Sequence, residues 1–241
     1  MALKDAIRRN FDLSVDAYDA YEDRTGRFRT LARLLWTEME RVADPTPEHV
    51  LDAGAGSGAS TRVLRERATS VVALDASREM LRANDGARVQ ADFDHLPFAD
   101  DAFDAVAFTA SLFLVPDPAV ATREARRVCR PGGVVGAVVP LGWVDDDGRD
   151  AFATLDRDSR SPVGTDAVVD ALAASFTVET GTWRFATTAA DVREFHRIPA
   201  MAARLYPKSI PEERVRKAGE LLDSLEGTYE QRWRWVVGVA D

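Results

Sequence analysis

Val50-Leu-Asp-Ala-Gly-Ala-Gly-Ser-Gly58 places an apolar strand, an acid and three glycines, Gly54, Gly56 and Gly58, within nine residues. Glycine lets the backbone turn tightly and lets a ligand approach it closely. The loop runs into a helix expected from Thr61 to Arg67. The free N–H groups and positive dipole end at the start of such a helix attract an anion. Asp52 is expected to accept a hydrogen bond from the loop or from a ligand amino group. Taken alone, the loop leaves the ligand open. Gly54-x-Gly56-x-x-Ala59 satisfies a loose dinucleotide fingerprint, and a purely structural strand–helix turn has the same look.

The surrounding chain gives the fold class. His49–Asp52, Ser70–Asp75, Arg88–Ala91, Phe103–Thr109 and Val134–Val139 read as short apolar strands. Between them, Ser77 is a candidate N-cap for a helix carrying Met80 and Leu81. Asp117–Arg130 reads as a helix stopped by Pro131-Gly-Gly133, with Cys129 on its buried side as a small hydrophobe. Strands alternating with helices over roughly residues 48–140 predict an α/β fold, a mostly parallel sheet covered on both faces.

Outside that stretch, residues 3–43 read as helical, with Leu31, Leu34, Leu35, Met39 and Val42 at helical spacing. Helices are expected at Asp166–Ser175, Ala189–Leu205 and Pro211–Leu225, and strands at Thr177–Phe185 and Arg232–Ala240. The two later helices interrupt an antiparallel strand pair. The chain is therefore expected to form a single domain over 1–241. It would have an N-terminal helical cap (1–45), a cofactor-binding core (46–140) and a substrate side (141–241) with a helical lid at about 188–226.

Asp75 ends the second strand, 17 residues past Gly58. An acid there can accept hydrogen bonds from both hydroxyls of an adenosine ribose, a need shared by nicotinamide cofactors and S-adenosylmethionine. The segment Ala91-Asp-Phe-Asp-His-Leu-Pro-Phe98, followed by Asp100-Asp-Ala-Phe-Asp-Ala-Val106, narrows the choice. Here the chain resembles the class I S-adenosylmethionine-dependent methyltransferases, in the small-molecule branch with an Ala-Asp-x-x-x-Leu-Pro-Phe segment. Arg123-Glu-Ala-Arg-Arg-Val-Cys-Arg-Pro-Gly-Gly133 resembles the helix before the fifth strand of that family. The resemblance covers roughly residues 48–140. It implies a Rossmann-like seven-stranded sheet with the last strand antiparallel, and S-adenosylmethionine as the cofactor. Asp92 would accept from the adenine amino group, and Phe93 would flank the ring. The implied cofactor-binding set is Asp52, Ala53, Gly54, Gly56, Gly58, Asp75, Ala76, Met80, Asp92, Phe93, Thr109 and Tyr18.

Asn10-Phe-Asp-Leu-Ser-Val-Asp-Ala-Tyr-Asp-Ala-Tyr21 is similar to the start of biotin-pathway malonyl carrier-protein O-methyltransferases and other small-molecule methyltransferases. Their leading helices close over the cofactor, so Tyr18 or Tyr21 could face the site; packing within an amphipathic helix is the alternative. After the fourth strand, Thr109-Ala-Ser-Leu-Phe-Leu-Val-Pro116 lacks a histidine that many relatives carry, and no catalytic base is assigned. His49 and His95 are expected at the surface. His196 on the lid is the candidate among the histidines, with a structural role as its alternative. Trp183, Trp233 and Trp235 are expected in core packing or in an acceptor pocket. A nicotinamide oxidoreductase often carries Tyr-x-x-x-Lys, which none of the three lysines supplies. A non-catalytic S-adenosylmethionine-binding protein fits the same motifs.

The formal net charge is -9, and no Lys/Arg cluster stands out, which argues against nucleic acid as a partner. No apolar run is long enough to span a membrane, and the chain starts on charged residues without a signal-peptide core, so a cytoplasmic location is expected. The one cysteine, Cys129, excludes an internal disulfide. Aspartate outnumbers glutamate, and arginine carries nearly all the positive charge. Such a surface suits a salt-rich cytoplasm such as that of a halophilic archaeon, although a GC-rich genome also trades lysine for arginine. A melting temperature that gains nothing above about 1 M KCl would rule out salt adaptation.

Overall fold

The computed structural model describes residues 2–153, 155 and 164–240. Three helices lead the chain: α1 (Ala2–Asp12), α2 (Val15–Thr25) and α3 (Arg27–Val42). The expected helical stretch is thus three helices. It breaks at Leu13-Ser14 and again at Gly26, which takes a left-handed conformation (φ 58°). Glu22, buried at that corner, accepts from the N–H groups of Phe28 and Arg29 and so caps the incoming α3.

The core alternates as expected: β1 (His49–Ala53), α4 (Ala59–Arg65), β2 (Ser70–Asp75), α5 (Arg78–Ala83), β3 (Arg88–Gln90), β4 (Phe103–Phe108), α6 (Pro118–Val128) and β5 (Cys129–Val144). Beyond it lie α7 (Thr165–Ala173), β6 (Thr177–Thr188), α8 (Ala189–Arg197), α9 (Pro199–Leu205), α10 (Pro211–Leu222) and β7 (Thr228–Val239). The strands form one seven-stranded sheet in the order β3-β2-β1-β4-β5-β7-β6. β1 pairs in parallel with β2 and β4, and β4 with β5. β7 runs antiparallel to both β5 and β6. This is the Rossmann-like sheet that the motifs implied. The strand order reverses between β1 and β4, and in open α/β sheets that switch point is where a crevice forms outside the carboxyl ends of the strands.

β1 and β4 are almost wholly buried, as parallel strands covered on both faces must be. α3 packs on α4, β5 and β7, and α6 packs with α7 and β5. Leu31, Leu35 and Met39 form the buried stripe of α3. A Cβ at Gly136 would sit 2.5 Å from the Met39 sulfur, so β5 needs glycine there for α3 to lie close.

Several boundaries depart from the sequence reading, and two of the departures have a plain cause. α6 ends at Val128, and Cys129, expected in the helix, starts β5 with extended backbone (φ -86°, ψ 126°). It is buried, as expected, and burial pushes its thiol up to about 12, which keeps it protonated and inert. The expected helix over 189–205 is two helices, because Pro199 cannot continue α8 and instead opens α9 at its first position. The insertion between β6 and β7 therefore holds three helices.

Candidate active site

A cavity of about 350 Å³ opens at the carboxyl ends of β1, β2, β4 and β5. Three strand-end turns line it: Gly54 and Gly56 after β1, Asp75 to Ser77 after β2, and Asp92 and Phe93 after β3. Turns far apart in sequence therefore meet around one space.

The first turn is fixed by the strand beside it. The N–H groups of Gly54 and Ala55 donate to the Leu74 carbonyl at 2.7 and 3.0 Å. The Gly56 N–H donates to Asp75 Oδ2 at 2.9 Å, which ties the glycine loop to the end of β2. Asp75 Oδ1 accepts from the Ser77 N–H at 2.8 Å. The carboxylate is thus oriented by two backbone donors, and each oxygen keeps lone-pair capacity for a further donor. Burial raises its pKa, against the lowering effect of those two hydrogen bonds. Ser77 caps α5, as expected, by accepting from the Met80 N–H at 3.1 Å, and its hydroxyl donates to Asp12 at 2.7 Å.

Asp92 Oδ1 accepts from the Asp94 N–H at 3.2 Å and from Lys4 Nζ at 3.1 Å. Lys4 also pairs with Asp94, so α1 is tied across the third turn. Phe93 is 9% exposed and stands edge-on to Phe108, with ring centroids 5.4 Å apart. Ala76, Met80, Thr109 and Tyr18 complete the expected residues that line the cavity. Tyr18 satisfies both of its alternatives, since it stacks on Phe28 at 4.6 Å while lining the space; burial raises its hydroxyl pKa well above the usual range. Tyr21 packs against Phe28 and Phe195 and is not part of the lining.

Three expected residues, Asp52, Ala53 and Gly58, lie behind the glycine loop rather than on the cavity wall. The Ala53 carbonyl accepts from the Ser111 hydroxyl at 2.6 Å. Gly58 turns into α4 at φ 100°, against the Asn84 side chain. Asp52 is fully buried, and its Oδ2 accepts from the hydroxyls of Ser60 and Thr61 at 2.8 and 2.7 Å. Its Oδ1 has no partner among the described residues. For Asp52 and Ala53 the reason is topological: successive strand residues face opposite sides of a sheet, so β1 delivers its last side chains to the layers rather than to the crevice.

Burial pushes the Asp52 carboxyl up to about 6, although the two hydroxyls work against it. A carboxyl with a raised folded pKa favours folding below the ordinary aspartate value, and that contribution is lost as pH rises from about 4 to 6. Asp52→Asn keeps the accepting oxygen and removes the charge. Its stability relative to wild type is expected to rise by about 2–3 kcal/mol between the two ends of that window. Asp104, Asp191 and Glu124, whose pKa values are lowered, act in the opposite direction but are common to both proteins and cancel in the difference. Paired urea titrations across the window check this; a gap that stays constant contradicts it.

Beyond the strand-end turns, the lining passes to α1, the end of β5, Phe152, α8, α9 and β7. His196, whose Nδ1 lies 2.8 Å from the Val192 carbonyl, lines the cavity among Trp143, Phe152 and Phe195. His49 and His95 are exposed, as expected. Trp233 is buried and lines the cavity, while Trp235 packs against Trp183 at 6.3 Å. The sequence reading missed Lys4, Ile7, Arg8 and Phe11, a single stripe of α1 on the cavity. Their spacing of three and four residues was a helical signal that could have been read. Phe113, Trp143, Phe195 and Arg204 carried no motif.

No group of three potential metal-ligating side chains exists among the described residues, nor any helix long and apolar enough to cross a membrane. A nucleotide-sized crevice at the switch point of a mostly parallel sheet, with a glycine loop and two acids at strand ends, is the arrangement of a Rossmann-like nucleotide-binding fold. Residues 51–136 match the family described as "Methyltransferase domain". The chain is 39% identical over 133 residues to a demethylmenaquinone methyltransferase of Corynebacterium urealyticum, covering 54% of this chain and 54% of the relative. It is 38% identical over 159 residues to a malonyl-[acyl-carrier protein] O-methyltransferase of Dechloromonas aromatica, covering 64% of this chain and 57% of the relative. The chain thus spans about half the length of the curated relatives it matches. The crystal structure of the YcgJ protein from Bacillus subtilis superposes with a TM-score of 0.60 at 18% identity, covering 88% of this chain and 98% of that one. That likeness concerns the fold.

Proposed function

We propose that this protein is an S-adenosylmethionine-dependent methyltransferase that acts on a small-molecule acceptor. The supporting observation is the convergence of the three strand-end turns on one cavity. The residues present suit the cofactor. A Cβ built on Gly56 meets nothing within 4 Å, so the loop leaves room against its backbone. Asp75 is held with acceptor capacity to spare for ribose hydroxyls. Phe93 and Met80 offer apolar surface, and Asp92 an acceptor for the adenine amino group.

When bound, S-adenosylmethionine supplies a sulfonium methyl that is already electrophilic. The chain has to align the acceptor and keep water out, and good alignment alone can supply about 7–11 kcal/mol of the barrier. α1 and α2 cover one side of the cavity through Lys4, Phe11 and Tyr18; α8 and α9 cover another through Phe195, His196 and Leu205. The cap and the lid are joined: Arg24 pairs with Asp191 and Glu194, and the Ala200 N–H donates to the Ser14 hydroxyl at 2.9 Å. The aromatic lining favours an acceptor with apolar surface. Demethylmenaquinone and malonyl-[acyl-carrier protein], the acceptors named for the two relatives, are the first to assay.

Transfer of labelled methyl from S-adenosylmethionine into a fractionated metabolite extract tests the reading. Label is expected in at least one fraction, whereas cofactor binding without turnover on any fraction favours a non-catalytic binding protein. Asp75→Ala is expected to weaken S-adenosylhomocysteine binding by about 1–3 kcal/mol through lost ribose hydrogen bonds, measured by calorimetry. An unaltered affinity contradicts the assignment.

A further inference from the structure

The N-terminal cap meets each of the three strand-end turns through one side chain. Asp19 on α2 accepts from the Ser57 hydroxyl of the glycine loop. Asp12 at the end of α1 accepts from the Ser77 hydroxyl after β2 at 2.7 Å. Lys4, in the first turn of α1, donates to Asp92 Oδ1 after β3 at 3.1 Å and also to Asp94. Asp12 and Asp19 lie outside the cavity lining, so their contacts tie the cap to the core and go no further. The third contact differs. Lys4 and Asp92 both line the cavity, and their side chains are 31% and 41% exposed, so a ligand can reach both.

We infer that Lys4 is a cofactor-binding residue, whose ammonium donates to a ring nitrogen of adenine beside the amino group that Asp92 accepts. The inference rests on the methyltransferase reading above and adds a residue to its cofactor site. The amino group of adenine is flanked by two acceptors, N1 and N7. A donor next to an acceptor therefore matches either half of that edge, and Lys4 next to Asp92 is such a pair. Asp92 Oδ1 is taken by Lys4 and by the Asp94 N–H at 3.2 Å, which leaves Oδ2 for the amino group. An ammonium has three N–H donors and no acceptor; the two acids take two donors, and one remains for a ligand.

The charge and the position of Lys4 are both set by the protein. Desolvation works to lower its pKa, but the hydrogen bonds and charges of Asp94 and Asp92 outweigh it and raise the pKa above the usual lysine value. The group therefore stays an ammonium, and a charged donor makes a stronger bond than a neutral one. A lysine free at the surface would lose rotamer entropy on gripping a ligand. Here the two acids have already fixed the side chain, so little remains to be lost. The helix is fixed as well: Ile7, Arg8 and Phe11 continue its cavity face, and Asp12 anchors its far end on Ser77. Arg8, the other cation of that face, pairs with Asp5 and Asp12 on its own helix.

Calorimetry with S-adenosylhomocysteine and its 1-deaza and 7-deaza analogues, each with one ring nitrogen replaced by C–H, tests this. One analogue is expected to bind wild type at least about tenfold more weakly than S-adenosylhomocysteine, and which one it is names the nitrogen. Lys4→Met is expected to weaken S-adenosylhomocysteine by a similar factor while leaving that analogue unchanged, so the gap closes. A lysine that only ties α1 to the third turn would weaken all three ligands alike. That result overturns the inference, as does equal binding of all three to wild type or a gap that survives Lys4→Met. If Lys4→Met does not fold, Lys4→Gln, which can still bond Asp92, takes its place; it is expected to narrow the gap, and an unchanged gap overturns the inference. Failure of wild type to bind S-adenosylhomocysteine at all overturns the methyltransferase reading instead.

Discussion

A Gly56→Val protein is expected to fold and to lose S-adenosylhomocysteine binding by more than about 100-fold. Gly56 has φ 53°, and a Cβ there meets no protein atom within 4 Å. Nothing in the protein opposes the side chain sterically, so the cost to folding is the left-handed backbone itself, about 1–2 kcal/mol and somewhat more for a β-branched residue. The room a valine would take lies against a cavity-lining backbone whose N–H is already bound to Asp75. Two methyl groups would occupy space that the proposed reading gives to the cofactor. Circular dichroism should be unchanged while calorimetry shows no heat of binding. Gly56→Ala, with one carbon added, should lie between. A valine variant that binds like wild type would show that the cofactor does not lie against this loop.

Gly54→Ala should fail in the opposite manner, through the fold. At φ 81°, its Cβ would lie 2.3 Å from Ser111 Cβ, 2.7 Å from Ser111 Oγ and 3.1 Å from Phe93. Ser111 cannot swing aside cheaply, because its hydroxyl donates to the Ala53 carbonyl at 2.6 Å. Gly54 is held in turn by its own bond to Leu74. Overpacking and a disfavoured backbone together predict a loss of about 3–5 kcal/mol, or on the order of 10 °C in melting temperature. Ser111→Gly in the same chain should restore part of that loss by removing the Cβ that clashes. Melting at the wild-type temperature would contradict the packing argument, as would the absence of any rescue. Two glycines in one motif thus have separate duties: Gly54 lets β1 and the β4 end approach, and Gly56 keeps the cavity open.

That difference marks what could be read from the sequence. Hydrophobic runs bounded by turn residues fixed the order of β1 to β5, since parallel strands buried on both faces leave a strong apolar signal. Gly54, Gly56, Asp75, Asp92 and Phe93, which the motifs singled out, line one cavity. Asp52 was read with them as part of the ligand surface, yet its side chain serves Ser60 and Thr61 inside the α4 layer. Sequence adjacency cannot tell which side of a turn a residue faces. The break of the lid falls at Pro199, whose ring and missing N–H a continuing helix cannot accommodate.

The acceptor side was the least legible. Phe113, Trp143, Phe152, Phe195, Arg204 and Trp233 come from six separate segments and meet through tertiary packing alone. Aromatic residues at such spacings look the same whether they fill a core or line a pocket, and here several do both. Trp233, read as core packing or acceptor pocket, is buried and also lines the cavity. The cap stripe of Lys4, Ile7, Arg8 and Phe11 was masked because α1 alone gives no hint of what its face covers.

A crystal grown with S-adenosylhomocysteine puts the account to its most direct test. The ribose is expected within hydrogen-bond distance of Asp75, the adenine beside Phe93 and Asp92, and the methionine portion against the backbone of Gly54 and Gly56. Density for the ligand elsewhere, or an empty crevice at saturating concentration, would contradict it.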